Sequence, residues 1–349
     1  MPSADDHLLF CTLPEVSAPS LPDDLGLPRT EALRLIMNKW INGTTLTYFF
    51  KEVGSSTWPE TQKAVVREAF GKWKALGIGL NFTEVPAEEN STLVIGLIPG
   101  DGSWSFVGTD VLTMRRNGCN MNFGWDLRTE WGHATALHEI GHALGMPHEH
   151  QSPLSGIVWD EQKVIAHFSA PPNNWDEPKI RWNILRHLDV AEVEGSTWDP
   201  TSIMHYPFKP GLIKAPPPYD HDGTPENVHL AANDEAWMRR FYPSDGAAPA
   251  IELGELAPVS PITADQTDYT FVPAESREYW VQAVGEADLK IAIADQNEDG
   301  LFRILKVADD SASPSNASIT RRLEAGRSYR ISARTHYAGH LRGASILVQ

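Results

Sequence analysis

Residues His138 to Glu149 read H-E-I-G-H-A-L-G-M-P-H-E. His138 and His142 stand four residues apart. On a helix that spacing puts both imidazoles on one face, near enough to share a metal ion. Glu139 lies beside them, where its carboxylate reaches a water on the metal rather than the metal itself. Gly145 follows the helical run and can take the left-handed conformation that ends a helix. The chain can then turn and bring back His148 as a third ligand. Three neutral imidazoles with a fourth position open describe a catalytic zinc, because a structural zinc is closed by four protein ligands. The bland alternative is an amphipathic helix with surface histidines, and the five fixed positions of H-E-x-x-H-x-x-G-x-x-H weigh against it.

That longer pattern resembles the signature of the metzincin zinc endopeptidases. Glu149, directly after the third histidine, is similar to the astacin branch. Ser202-Ile203-Met204-His205-Tyr206 resembles the astacin Met-turn and lies downstream, where the family has it. The resemblance implies that Met204 packs beneath the zinc histidines. It also implies that Tyr206 is a zinc ligand at rest and swings away to stabilise the transition state. Plain core packing stays open for both residues. Glu149 would pair with a new N-terminus once a pro-segment is removed, since a buried carboxylate needs a cationic partner. Beyond it this chain has His150-Gln151-Ser152-Pro153 where the family continues R-x-D-R-D.

The chemistry implied is zinc-dependent hydrolysis of peptide bonds in protein substrates. Glu139 would act as general base on a zinc-activated water and return the proton to the leaving amine. Zinc, with Tyr206, would stabilise the oxyanion. The expected cofactor is one Zn2+ ion, and the expected partners are protein and peptide substrates.

The chain has 349 residues, enough for two domains with a sizeable core. A formal net charge of −17 argues against nucleic acid or an anionic membrane as partner, because both select basic patches. No apolar run approaches a membrane span, and a monomer is expected. Met1 to His7 has neither the basic n-region nor the apolar core of a leader, although the resemblance suggests an extracellular enzyme. Two cysteines, Cys11 and Cys119, are no disulfide framework, which is more similar to microbial members of the family than to animal ones. Sequons at Asn42, Asn81, Asn90 and Asn316 matter only in a eukaryotic secretory pathway.

Residues 1–38 read as an N-terminal extension and possible pro-segment, with helical spacing from Thr30 to Trp40. The family's pro-segment blocks the zinc. Cys11 could do so here as a thiolate, which zinc binds well, and Asp23 or Asp24 could do so as a carboxylate. A Cys11–Cys119 disulfide and inert thiols remain open. The patterns F-x-G-D and P-R-C-G are both absent.

Residues 39–243 are expected to form the catalytic domain, an α+β metzincin fold with a twisted mixed sheet over an active-site helix. Strands are expected at Leu46–Phe50, Leu80–Val85 and Thr92–Leu97. A helix should follow Thr57-Trp58-Pro59-Glu60, with Val66, Ala69, Phe70, Trp73 and Leu76 on one face. Gly108–Met114 and Asn120–Trp125 should complete the sheet. The segment Val107–Met114 is expected to be the edge strand that pairs with extended substrate. Thr129–Leu144 should be the active-site helix, with His133 and His150 at the surface or behind the ligands. Further helices are expected at Asp160–Phe168, Trp175–Leu188 and Leu230–Tyr242. The pocket for the residue after the scissile bond should be lined from between the Met-turn and the last helix.

Past the linker Pro243–Pro249, residues 250–349 alternate as seven short strands, an all-β sandwich. Its role could be substrate or glycan binding, or stability. Asp295-Gln296-Asn297-Glu298-Asp299-Gly300 imitates half of a calcium loop. Lys306 stands where a bidentate Glu is needed, so a turn is expected instead. Two other functions stay in view. One is a zinc peptidase of another class that uses a downstream glutamate such as Glu161. The other is a non-catalytic zinc-containing binding protein acting through the sandwich.

Overall fold

The structure is a computed structural model. It describes residues 10–16, 38–188, 198–244, 246, 248–259, 266–285, 289–296, 302–309, 317–335 and 344–349. Asp23, Asp24, the helical pattern before Asn38, Asn316 and most of the 295–300 turn lie outside them.

Strand β1 (Thr45–Lys51) alternates half-buried and buried side chains, and Leu46, Tyr48 and Phe50 point into the core. Helix α1 (Glu60–Ala75) follows Pro59, whose fixed φ suits a helix start. Its buried face is Val65, Val66, Ala69, Phe70 and Trp73. Each large apolar side chain buried there stabilises the fold by about 1.5–3 kcal/mol. Strands β2 (Asn81–Glu84), β3 (Leu93–Leu97), β4 (Trp104–Ser105) and β5 (Met121–Phe123) complete a sheet of order β2-β1-β3-β5-β4. All pairs are parallel except β4–β5.

The edge strand is therefore β4, and the expectation for Val107–Met114 is corrected: Gly108–Leu112 is a 3-10 helix. Gly108 sits at φ 51°, and a Cβ there would lie 1.9 Å from the carbonyl oxygen of Asn38. The backbone turns to that carbonyl, which accepts from Thr109 N–H at 2.9 Å. A strand would lose this contact.

Helix α2 (Glu130–Ala143) begins at Thr129, whose hydroxyl accepts from Gly132 N–H at 3.0 Å. It packs on α1, and Trp73 Nε1 donates to Leu137 O. Below the cleft lie β6 (Val158–Trp159), α3 (Glu161–Ser169) and α4 (Glu177–Ile180). The single helix expected over Trp175–Leu188 is shorter. Trp175 N–H still bonds back to Phe168 O, Asp176 caps α4, and the chain then widens into a π-helical turn, Arg181–Leu185. Strand β7 (Ile213–Ala215) pairs with β6, and α5 (Tyr219–Asp222) and α6 (Ala232–Phe241) follow.

The C-terminal region holds β8 (Leu256–Val259), β9 (Thr267–Phe271), β10 (Arg277–Gly285), β11 (Leu289–Gln296), β12 (Phe302–Asp309), β13 (Ser318–Leu323), β14 (Tyr329–Thr335) and β15 (Ala344–Val348). They form two antiparallel sheets, β13-β10-β15-β8 and β12-β11-β14-β9, with one apolar core between them. The strand missing from the sequence reading is β8. It contains Pro258 and lies at a sheet edge, where a proline without N–H is tolerated. The sandwich meets the catalytic region where Arg334 Nη2 donates to Lys39 O at 2.7 Å. Beside this, Asn42 N–H donates to Gln266 Oε1 at 2.6 Å. Among the described residues no helix is long and apolar enough to cross a membrane.

Candidate metal centre

His138 and His142 lie one turn apart on α2, and both rings are fixed from behind. His138 Nδ1–H donates to Ile203 O and His142 Nδ1–H to Met146 O, each at 2.7 Å. These bonds select the tautomer with a bare Nε2, the metal-binding form. Gly145, at φ 104°, ends the helix as expected, and the turn brings His148 Nε2 to 3.2 Å from His142 Nε2. Burial and neighbouring histidines hold His142 and His148 well below the usual imidazole range; burial alone lowers His138 to about 4. All three are thus neutral donors.

The fourth member of the cluster comes from far away in sequence. Cys11 Sγ lies 2.9 Å from His138 Nε2, 3.1 Å from His148 Nε2 and 3.8 Å from His142 Nε2. The four ligand atoms fall within 4.8 Å of one another. Three imidazoles and one thiol in a closed group suit zinc in chemistry and number. Burial and the nearby Glu139 push the Cys11 thiol well up, and a divalent cation in the cluster would reverse that. Cys119 is also free and buried, at the turn Arg116–Cys119 before β5.

Glu139 is fully buried beside this group; neither carboxylate oxygen has a partner of good hydrogen-bond geometry, and the Cys11 thiol bears on it. Burial pushes its carboxyl well up. Tyr206 is buried too. Its hydroxyl donates to Cys11 O at 2.7 Å and lies 3.2 Å from Cys11 Sγ. Met204 runs under the histidine helix, where a Cβ on Gly141 would lie 2.5 Å from its Sδ. Gly141 is therefore the residue that lets the Met-turn approach α2.

Glu149 accepts from Asp199 N–H at 2.9 Å. Burial, with Asp234 and Asp199 nearby, raises its carboxyl to about 8. His150 is not at the surface; it is fully buried, stacked on His148 and tilted against Tyr206, with Nε2 on Asn183 O at 2.9 Å. Gln151, in place of the family's charged run, ties to the lower half through Gln151 Nε2–Trp182 O at 2.7 Å. Glu161 is exposed and pairs with Arg181, and among the described residues the candidate metal cluster contains no glutamate.

Several residues escaped the sequence reading. Asp234 on α6 accepts from Ser202 Oγ, Ile203 N–H and Ala231 N–H at 2.6–2.8 Å and so pins the Met-turn. No local spacing links it to a turn some thirty residues away. A small pocket opens beside Glu139. Pro207 and Asn227 line it from the expected segment, while Trp125, Trp131 and Thr135 close the other side.

This zinc-type cluster on a helix, with a Met-turn below and a mixed sheet above, defines a metzincin. A family model described as Astacin, a peptidase family, matches residues 33–210, just over half of the chain, and the chain belongs to the astacin family. It is similar to myroilysin, whose structure is 29% identical and superposes with a TM-score of 0.53 over 60% of this chain and 97% of that one. Bone morphogenetic protein 1 of Xenopus laevis is 28% identical over 204 residues, 54% of this chain and 25% of that protein. Protein SpAN of Strongylocentrotus purpuratus is 25% identical over 151 residues, 42% of this chain and 21% of that protein. The chain thus spans a quarter or less of the length of these curated relatives.

Proposed function

We propose that this chain is a zinc metalloendopeptidase held latent by its own N-terminal segment. The observation that carries the reading is the meeting of the three histidine Nε2 atoms at one point, against the unpaired carboxylate of Glu139. His138, His142 and His148 would hold the ion, with Cys11 as fourth ligand in the latent chain. Bound zinc would supply Lewis acidity, lowering the pKa of a water and polarising a substrate carbonyl. Glu139 takes the proton of the attacking water and hands it to the leaving amine. Tyr206, once free of Cys11, donates from its hydroxyl to the developing oxyanion.

Latency and activation then act on the same two groups. Cys11 Sγ fills the position a substrate needs, and Cys11 O occupies the Tyr206 hydroxyl. Removing the segment releases both together. Glu149, flanked by Asp199 and Asp234, is the group proposed to receive the new N-terminal ammonium. Its carboxyl stays protonated well above the usual range until a cation arrives. The test is zinc content and casein hydrolysis for the full chain, for its Cys11→Ala variant and for the chain cleaved ahead of Asn38, each with and without chelator. Low activity in the full chain and chelator-sensitive activity in the other two support the proposal. Equal activity in all three would remove the latent state, and zinc binding without any cleavage would favour a binding protein.

A further inference from the structure

Residues 10–16 run past the histidine cluster as a strap, and their backbone contacts show how the cleft holds this segment. Thr12 N–H donates upward to Ser103 O at 3.0 Å, next to edge strand β4. Leu13 N–H donates downward to Asn183 Oδ1 at 2.7 Å. Successive N–H groups of an extended chain point to opposite sides in either chain direction. The two acceptors are therefore spaced for any extended peptide.

Asn183 is built for this task. It sits in the π-helical turn Arg181–Leu185 and is 2% exposed. Its Nδ2 donates to Lys179 O at 3.0 Å, which fixes the carboxamide and leaves Oδ1 turned to the cleft. Its own carbonyl is taken by His150 Nε2–H at 2.9 Å, so the turn is also locked against the ring behind His148 and Tyr206. When the strap leaves, a pre-oriented acceptor loses its donor and is left to water until another N–H arrives. π-Helical turns are often found at functional sites.

We propose that Asn183 is a substrate-anchoring residue. Its Oδ1 accepts one backbone N–H of the bound peptide on the lower rim while Ser103 O accepts the adjacent N–H on the upper rim. The inference rests on the peptidase reading above. The experiment uses zinc-loaded full chain cleaved ahead of Asn38, as wild type, Asn183→Ala and Asn183→Asp. The substrates are a fluorogenic peptide and a set of its ester analogues, each lacking one N–H.

Asn183→Ala should lower kcat/KM roughly three- to tenfold, mainly through KM, as expected for one lost hydrogen bond. One ester analogue should show the same loss on wild type and no added loss on Asn183→Ala. Asn183→Asp loses the Nδ2–H bond to Lys179 O that holds the carboxamide, so its Oδ1 is no longer fixed on the cleft and the analogue lacking the matching N–H should lose most of its penalty. That variant carries the test if the alanine form does not fold or bind zinc. Equal kcat/KM for wild type and Asn183→Ala, or losses that multiply for every analogue, would overturn the inference alone and leave Asn183 as a strap holder. A cleaved wild type that hydrolyses no peptide would overturn the peptidase reading, and this inference with it.

Discussion

Around the Met-turn, the side chains of His138, Glu139, His142, His148, His150 and His205 are all buried. Inside the sandwich, the inward positions of β10, β11 and β14 are Tyr279, Val281, Ile291, Ile293 and Ile331. Both regions bury carboxylates; Asp234 beside the Met-turn is fully bonded, and the contrast lies between Asp295 and Glu139. Asp295 in β11 gives Oδ1 and Oδ2 to Arg303 and Oδ2 again to Arg327. Glu139 has no partner of good hydrogen-bond geometry for its carboxylate, and only the Cys11 thiol bears on it among the described residues. Burying an unpaired polar group costs stability, and one beside a candidate metal site calls for a ligand or a reaction to complete it. The sandwich satisfies Asp295 from within. The cleft holds unmet capacity.

The comparison is most easily broken at Glu139. Glu139→Gln keeps the shape and removes the base. Turnover of the cleaved chain should fall by roughly 10²–10⁴-fold, the usual contribution of a positioned base, with zinc still bound at one per chain. Activity close to wild type would show that the unpaired carboxylate has no catalytic use. Next comes the metal. Buried neutral imidazoles gain a partner only when it binds, so chelation should destabilise the catalytic region while leaving the sandwich transition in place. At a free zinc level of about 1,000 times Kd the linkage is about 4 kcal/mol. Thermal unfolding followed by calorimetry, with and without chelator, would read it. Two transitions that fall together would mean that the regions unfold as one. Smaller still is Gly141→Ala. The new methyl meets Met204 Sδ beneath the ligand helix, and overpacking there should cost about 1–3 kcal/mol. Met204→Ala in the same chain should restore part of it.

The histidine helix was legible because its candidate ligands are local: His138 and His142 are one turn apart, and Gly145 marks the turn to His148. The parallel strands β1 to β3 were legible from apolar alternation and short apolar runs. Other features depend on contacts between distant residues. The 3-10 turn at Gly108 is set by the carbonyl of Asn38, some seventy residues earlier, and no window along the sequence contains both. Cys11 could be named as a zinc-blocking candidate from the family resemblance and its thiol chemistry, but its 2.9 Å approach to His138 could not be foreseen. Asn183 was hidden by the same logic, since an asparagine in a helical stretch carries no signal until the strap lies across it. Pro258 concealed β8 because proline counts against a strand unless an edge is already known.

The smallest predicted effect tests the sandwich side of the comparison. Asp295 is nearly fully buried, but its partners Arg303 and Arg327 are 71% and 40% exposed. In Asp295→Ala both guanidiniums keep their water, so no charge is stranded in the core. What is lost is a pair of charge-assisted contacts joining β11 to β12 and to the turn before β14, at about 1–2 kcal/mol. The thermal midpoint of the sandwich should fall slightly, and kcat/KM of the cleaved chain should stay within about twofold of wild type, a limit well below any effect of losing a base. A clear fall in kcat/KM would mean that the sandwich transmits strain to the cleft. The route would be the seam where Gln266 grips the backbone of Asn42 from both sides, through Asn42 N–H to Oε1 and Nε2–H to Asn42 O. Gln266→Ala would then reproduce the loss without touching the Asp295 pair. If it did not, the coupling would have to run through Arg334 and Lys39 instead.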